Sequence, residues 1–182
     1  MEKIVLFGTL SIPVIFISWR TLFSIKSHGF YRFFSWECMI WLLVSNYKFW
    51  FENPFCVKQV FSWIFLLISG YLVIVAVILI KKTGKPIKHR VDKNLYQFEK
   101  TSELADKGIY KYIRHPMYSS LIFLTWGIYL KNTTGILLFV SILSTVFLYL
   151  TAIIEEIECI KYFGEKYYEY IKRSKKFIPF IF

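Results

Sequence analysis

Two short stretches of this chain carry the residue types best suited to chemistry. The first is Gly108-Ile109-Tyr110-Lys111-Tyr112-Ile113-Arg114-His115-Pro116-Met117-Tyr118, and the second is Ile154-Glu155-Glu156. Pro116 suits the first turn of a helix, because its fixed φ fits and it has no N–H to leave unpaired. The amides of Met117, Tyr118 and Ser119 would then face outward and, with the helix dipole, favour an anion. Arg114 and His115 add positive charge or donors beside them. Glu155 and Glu156 offer the opposite sign.

A ligand with a carboxylate, an ammonium and a flat ring would suit such a pocket. S-adenosylmethionine has that chemistry, and a phospholipid headgroup fits as well. The plain alternatives stay open: Arg and His at a helix mouth often snorkel to lipid phosphate, and a Glu pair after a membrane span often begins a solvated helix. Metal chemistry finds no support, since His28, His89 and His115 are scattered without metal-ligand spacing. Cys38, Cys56 and Cys159 are odd in number and form no CxxC, which argues against a disulfide framework or zinc site.

The elements that must position these residues are apolar helices. The chain has 182 residues, is 56% hydrophobic and 21% aromatic, and carries a net charge of +11. Hydrophobicity at that level excludes disorder. Charge alone would suggest a nucleic-acid binder, but long runs of Phe, Ile and Leu do not belong to one. A membrane protein with basic cytoplasmic loops accounts for both numbers, so membrane lipids rather than nucleic acid are the expected partners.

Five apolar runs stand out: 4–19, 30–44, 61–80, 117–130 and 133–154. The first lacks the small-x-small site of a signal peptide and reads as a membrane helix. The third has twenty residues without a charge, enough for a hydrocarbon core of ~30 Å. The fourth reaches only ~21 Å at 1.5 Å per residue. Asn132-Thr133-Thr134-Gly135 reads as a tight turn joining the last two runs into a hairpin, which brings Arg114, His115, Glu155 and Glu156 into one neighbourhood.

Residues 81–114 hold ten Lys/Arg against four Asp/Glu, and 155–182 hold six more Lys/Arg. The positive-inside rule places both segments in the cytoplasm. The expected fold class is therefore an all-α integral membrane protein. About five transmembrane helices would leave the N-terminus outside and the C-terminus and active site cytoplasmic. One domain would span 1–182: membrane helices over 1–80, a basic loop over 81–116, the helical hairpin over 117–154 and a tail over 155–182. In that tail Ile160, Phe163, Tyr167, Tyr170 and Ser174 follow helical spacing, which predicts an amphipathic helix over Glu155–Arg173. It would lie at the membrane interface or dock on protein, with the aromatic end 177–182 as a headgroup anchor. Glu37, an ionisable residue within a membrane run, is a candidate substrate-binding group. The alternative is that it pairs with a neighbouring helix.

These motifs also carry a family likeness. GIYKYIRHPMYSS, followed some forty residues later by EEIECIKYFGEKYYEYIKRSKKFIP, resembles the isoprenylcysteine carboxyl methyltransferase family, which is related to the membrane phospholipid N-methyltransferases. The likeness covers about Glu99–Phe182. It implies a membrane enzyme that transfers a methyl group from S-adenosylmethionine to a lipophilic or lipidated substrate. By that resemblance Leu104, Tyr110, His115, Pro116, Met117, Tyr118 and Glu155 would bind the cofactor. Arg114 and Glu156 would take catalytic places. Ser102 stands where the eukaryotic enzymes have His. Thr151 stands at the family's substrate-binding Arg, and Thr lacks the bidentate carboxylate grip of a guanidinium.

Two other readings compete. One is an enzyme like the sterol reductases using NADPH, weakened by the lack of a Gly-rich dinucleotide fingerprint. The other is a non-enzymatic adaptor that binds anionic lipid through the basic segment 81–93.

Overall fold

The computed structural model describes residues 1–84 and 101–179. The basic residues 85–93, His89 among them, and Phe180, Ile181 and Phe182 lie outside the described residues. Six α-helices make up the described chain: α1 (Glu2–Leu22), α2 (His28–Asn46), α3 (Val57–Thr83), α4 (Pro116–Tyr129), α5 (Gly135–Phe163) and α6 (Glu165–Arg173). By length and composition, α1, α3 and α5 can each cross a membrane. The all-α membrane fold stands, and three of the about five expected crossings meet that measure. α2 carries His28, Arg32 and Glu37 within 19 residues. α4 has only 14 residues, ~21 Å of helix.

Packing divides the bundle into α3 on α4 and α2 on α5, with α1 against α2 and α4 touching α5. Small residues make the close approaches, as expected where lipid gives no hydrophobic drive between helices. Ser62, Ser69 and Ala76 recur every seven residues along the buried face of α3. Ser62 donates to the Gly127 carbonyl on α4 at 2.7 Å. A Cβ on Gly127 would come within 3.0 Å of the Leu66 side chain, so glycine sets this spacing. Ser35, Ser144 and Thr125 join α2, α5 and α4 through hydroxyl contacts of 3.0 and 3.3 Å. The outer faces of α1, α3 and α5 expose Phe16, Leu67, Ile74 and Phe139, the surface that lipid would cover.

The hairpin turn forms as its sequence implies. Thr134 caps α5 by accepting from the Leu137 amide at 3.4 Å. Beside it the Lys131 ammonium donates to Gln59 at 2.9 Å and sits 3.6 Å from the centre of the Trp63 ring. Burial pulls its pKa below the usual lysine range.

The tail departs from expectation. α5 does not stop at Ile154 but runs to Phe163, so Glu155 and Glu156 lie inside a long helix. Gly164, at φ +61° and ψ −135°, ends α5 and starts α6. That conformation is almost confined to glycine. The reversal turns Tyr167, Tyr170 and Ser174 inward, where each is buried. α6 thus docks on protein through this face. Phe177 is likewise core, packed with Met39, Tyr118, Leu148 and Ala152, and not a headgroup anchor.

An alanine at position 164 would meet no atom within 4 Å, so its cost is purely conformational. Gly164→Ala should lower stability by about 1–3 kcal/mol. Gly135→Ala, equally uncrowded and without a positive φ, should leave it nearly unchanged. Thermal unfolding of both variants in detergent micelles checks this.

Candidate functional site

The segment before α4 is held by the tail. Arg114 N–H donates to the Lys175 carbonyl at 2.8 Å, His115 N–H to that of Lys176 at 3.1 Å, and Lys175 N–H to that of Tyr112 at 2.9 Å. The Ser119 hydroxyl donates to the Phe177 carbonyl at 2.8 Å. The Tyr170 hydroxyl donates to the Tyr110 carbonyl at 2.6 Å. Burial drives the Tyr167 and Tyr170 phenols upward, so both stay neutral donors across physiological pH. α6 and the segment after it, bridged to Ile113 at Lys175, therefore act as a brace for the Arg-His-Pro turn.

Charged side chains lock the brace to α5. Arg114 Nε donates to Glu156 at 2.8 Å, and its Nη1 donates to the Ser174 and Ile171 carbonyls. His115 Nε2 lies 3.2 Å and Lys176 Nζ 3.0 Å from the same Glu156 carboxylate. Three cationic or donor groups thus converge on one acid whose side chain is only 13% exposed. Glu155 faces another way: its Oε2 is 3.7 Å from His115 Nδ1 and is a buried oxygen without a hydrogen-bond partner.

Glu155 lines a small cavity of about 80 Å³ between α3, α5, α6 and the loop before α4. Of the residues singled out in the sequence, Leu104, Tyr110, Arg114 and His115 share that wall. The others do not reach it. Pro116 begins α4 and is fully buried. Met117 packs against the cluster of Ala76, Ala105 and Tyr110. The Tyr118 ring stacks on His115 at 5.5 Å. Glu156 is taken up by its ion network. The Ser119 amide, expected to face outward, is turned back on the His115 carbonyl at 2.9 Å, which narrows the anion site expected at the start of α4.

Two candidate substrate groups stand apart. Thr151 is 0% exposed and donates to the Phe147 carbonyl at 2.7 Å, one turn back in its own helix. Glu37 accepts from Ser11 at 2.6 Å across the α1–α2 contact, nine residues and ~14 Å of helix from the start of α2. Sequence reasoning also missed several wall residues: Glu158, Cys159, Phe163, Tyr167 and Tyr170. Glu158 was readable, since it sits one turn from Glu155 on the same face.

A second, wholly different space lies nearby. An apolar groove of about 580 Å³ is lined by Phe65, Phe123, Trp126, Val146, Tyr149 and Phe177. Phe177 lines this groove, and its ring lies 6.1 Å from that of His115 in the cavity wall.

The family described as phospholipid methyltransferase matches residues 57–166. The chain belongs to that family. Its members use S-adenosylmethionine to methylate. The likeness to isoprenylcysteine methyltransferases thus resolves into this broader group. Methanethiol S-methyltransferase 1 of Bradyrhizobium diazoefficiens is 32% identical over 92 residues, 50% of this chain and 32% of that enzyme. The matched segment therefore spans about a third of that relative's length. No solved structure matches the chain. The family match takes in both motifs and α3 to the start of α6, and leaves α1 and α2 outside it.

Arg114→Ala would leave a mostly buried acid with fewer partners and cut the brace. It should cost up to ~3 kcal/mol and raise amide exchange over residues 171–177. Arg114→Lys should restore little, having no planar fork. Hydrogen-exchange mass spectrometry reads both. Glu37→Gln keeps the acceptor for Ser11, so methyl transfer should stay within about twofold of the parent rate.

Proposed function

We propose that this chain is a membrane methyltransferase that moves the methyl group of S-adenosylmethionine onto a lipophilic acceptor. The observation that carries this is a carboxylate-lined cavity beside an apolar groove, linked by the contact of His115 in the cavity wall with Phe177 in the groove wall. A polar, charged cofactor and a greasy acceptor need opposite surroundings, and they must meet within bonding distance.

The wall residues suit the cofactor's charged end. Glu155 Oε2, buried and without a hydrogen-bond partner, would accept from its ammonium. His115 sits where its carboxylate would find a donor. Leu104 and Tyr110 would supply apolar and aromatic contact. The cavity has room for that end alone.

Bound S-adenosylmethionine supplies an electrophilic methyl on a good leaving group, so the transfer is an in-line displacement. The protein's part is alignment rather than covalent chemistry. Arg114 and Glu156 are then positioning residues, holding His115 and the tail and leaving Glu155 free for the ligand. The groove would bind the acceptor's hydrocarbon and present its head past Phe177.

Thr151 has no charge to offer a carboxylate acceptor and is already satisfied within α5. That favours an amine acceptor, as in a phospholipid headgroup, over an isoprenylcysteine carboxylate. The similarity to a methanethiol methyltransferase keeps a thiol acceptor as the second reading. The positive loops support a cytoplasmic position for the cavity. With α2 and α4 crossing as shorter partners of the three long helices, the whole chain forms one membrane domain.

Purified protein in micelles should bind S-adenosylmethionine, and Glu155→Gln and His115→Ala should each weaken binding about tenfold or more, ~1.4 kcal/mol. Titration calorimetry measures this. Absence of binding by the parent protein, or full binding by both variants, overturns the proposal. Label transferred from methyl-labelled cofactor to membranes should be stable to base, as expected for nitrogen or sulfur and not for an ester.

A further inference from the structure

His28 opens α2 far from either sequence motif, yet it is 0% exposed. Its Nδ1 lies 2.6 Å from Glu158 Oε2, and its backbone N–H donates to Glu158 Oε1 at 3.3 Å. One carboxylate thus receives both the side chain and the amide of the first residue of α2. Such an amide has no acceptor within its own helix, and a negative group there is favoured by the dipole. The other ring nitrogen, Nε2, is buried without a partner. Everything that orients the imidazole through hydrogen bonds is therefore Glu158.

Glu158 in turn lines the same cavity as Glu155. The two acids stand at i and i+3 on α5, where like charges repel. Glu156, between them, is neutralised by Arg114, His115 and Lys176. The hydrogen bonds of Glu158 run to His28 only, among the described residues. Arg32, on the next turn of α2, lies over the Trp36 ring at 5.4 Å, and its charge acts on Glu155 and His28. The wall thus holds two carboxylates, each backed by an imidazole, His115 behind Glu155 and His28 behind Glu158. A cation in the cavity would relieve their repulsion.

We infer that Glu158, fixed by His28, is a second carboxylate of this cavity and reads the positive charge of the bound cofactor. His28 is a positioning residue that acts through Glu158. The inference rests on the cofactor reading above and adds to it Glu158 and, from outside the family's matched segment, His28. α2 then does more than pack: it delivers the group that sets the direction of one wall carboxylate.

The test is calorimetric titration of S-adenosylmethionine and of S-adenosylhomocysteine, which lacks the sulfonium charge, into the full chain in micelles. Glu158→Gln keeps an acceptor for the His28 amide but removes the charge. It should weaken S-adenosylmethionine binding about tenfold. Glu158→Asp should recover part of the loss, which a merely structural role would not predict. His28→Gln should weaken binding less than Glu158→Gln, and the double variant should be no weaker than Glu158→Gln. If only S-adenosylmethionine suffers, Glu158 reads the sulfonium; if both ligands suffer equally, it reads the ammonium. Parent-like binding by Glu158→Gln overturns the inference while the loss in Glu155→Gln leaves the cofactor reading intact. Parent-like binding by His28→Gln overturns the positioning role. Failure of the parent protein to bind either ligand removes both readings.

Discussion

Glu156 is the point on which the site is hung. A carboxylate so far withdrawn from water is tolerable only if its charge is met on several sides. Arg114, His115 and Lys176 meet it, and each comes from a segment that would otherwise be loose. The guanidinium reaches on to the Ser174 and Ile171 carbonyls, which binds α6 to the same point. Loop, long helix and tail are thus three strands of one electrostatic knot. Beside it Glu155, a residue of the cavity wall, keeps a buried oxygen without a hydrogen-bond partner.

Much of this was legible in the sequence. The motif pair and the turn at 132–135 were enough to place Arg114 and His115 beside Glu155 and Glu156, because a short turn between two helices forces antiparallel neighbours. Helix limits were readable to within a few residues where apolar runs end in charge. Two things were hidden. The extension of α5 past Ile154 could not be seen, because a membrane-length run suggests a stop at its first acids; helix continues there since Glu155, Glu156 and Glu158 all find partners or a cavity. The inward turn of the tail depends on one backbone conformation at Gly164, and a single glycine does not announce its dihedral angles. His28 was passed over for a different reason: its partner is 130 residues away, and no local pattern encodes that contact.

Phe177 shows how little separates the polar and apolar halves of the protein. Its backbone carbonyl is held by Ser119, its ring touches His115 and Tyr149, and its far side belongs to the groove. The C-terminal segment therefore both braces the charged wall and forms the greasy one. An aromatic ring at this boundary offers area without a hydrogen-bonding demand, so either neighbour can change occupancy without leaving a polar atom stranded.

The length of α5 has a meaning in depth. From Gly135 to Glu155 is twenty residues, ~30 Å of helix, which is the thickness of a bilayer's hydrocarbon. α5 is in effect a ruler with its zero at the Thr134 cap and its mark at the two acids. Were α5 to cross the bilayer from that cap, the cavity would lie at headgroup level, where the polar end of the proposed acceptor would reside while its tail stays in oil. A lipid would need no lifting out of the membrane to be reached.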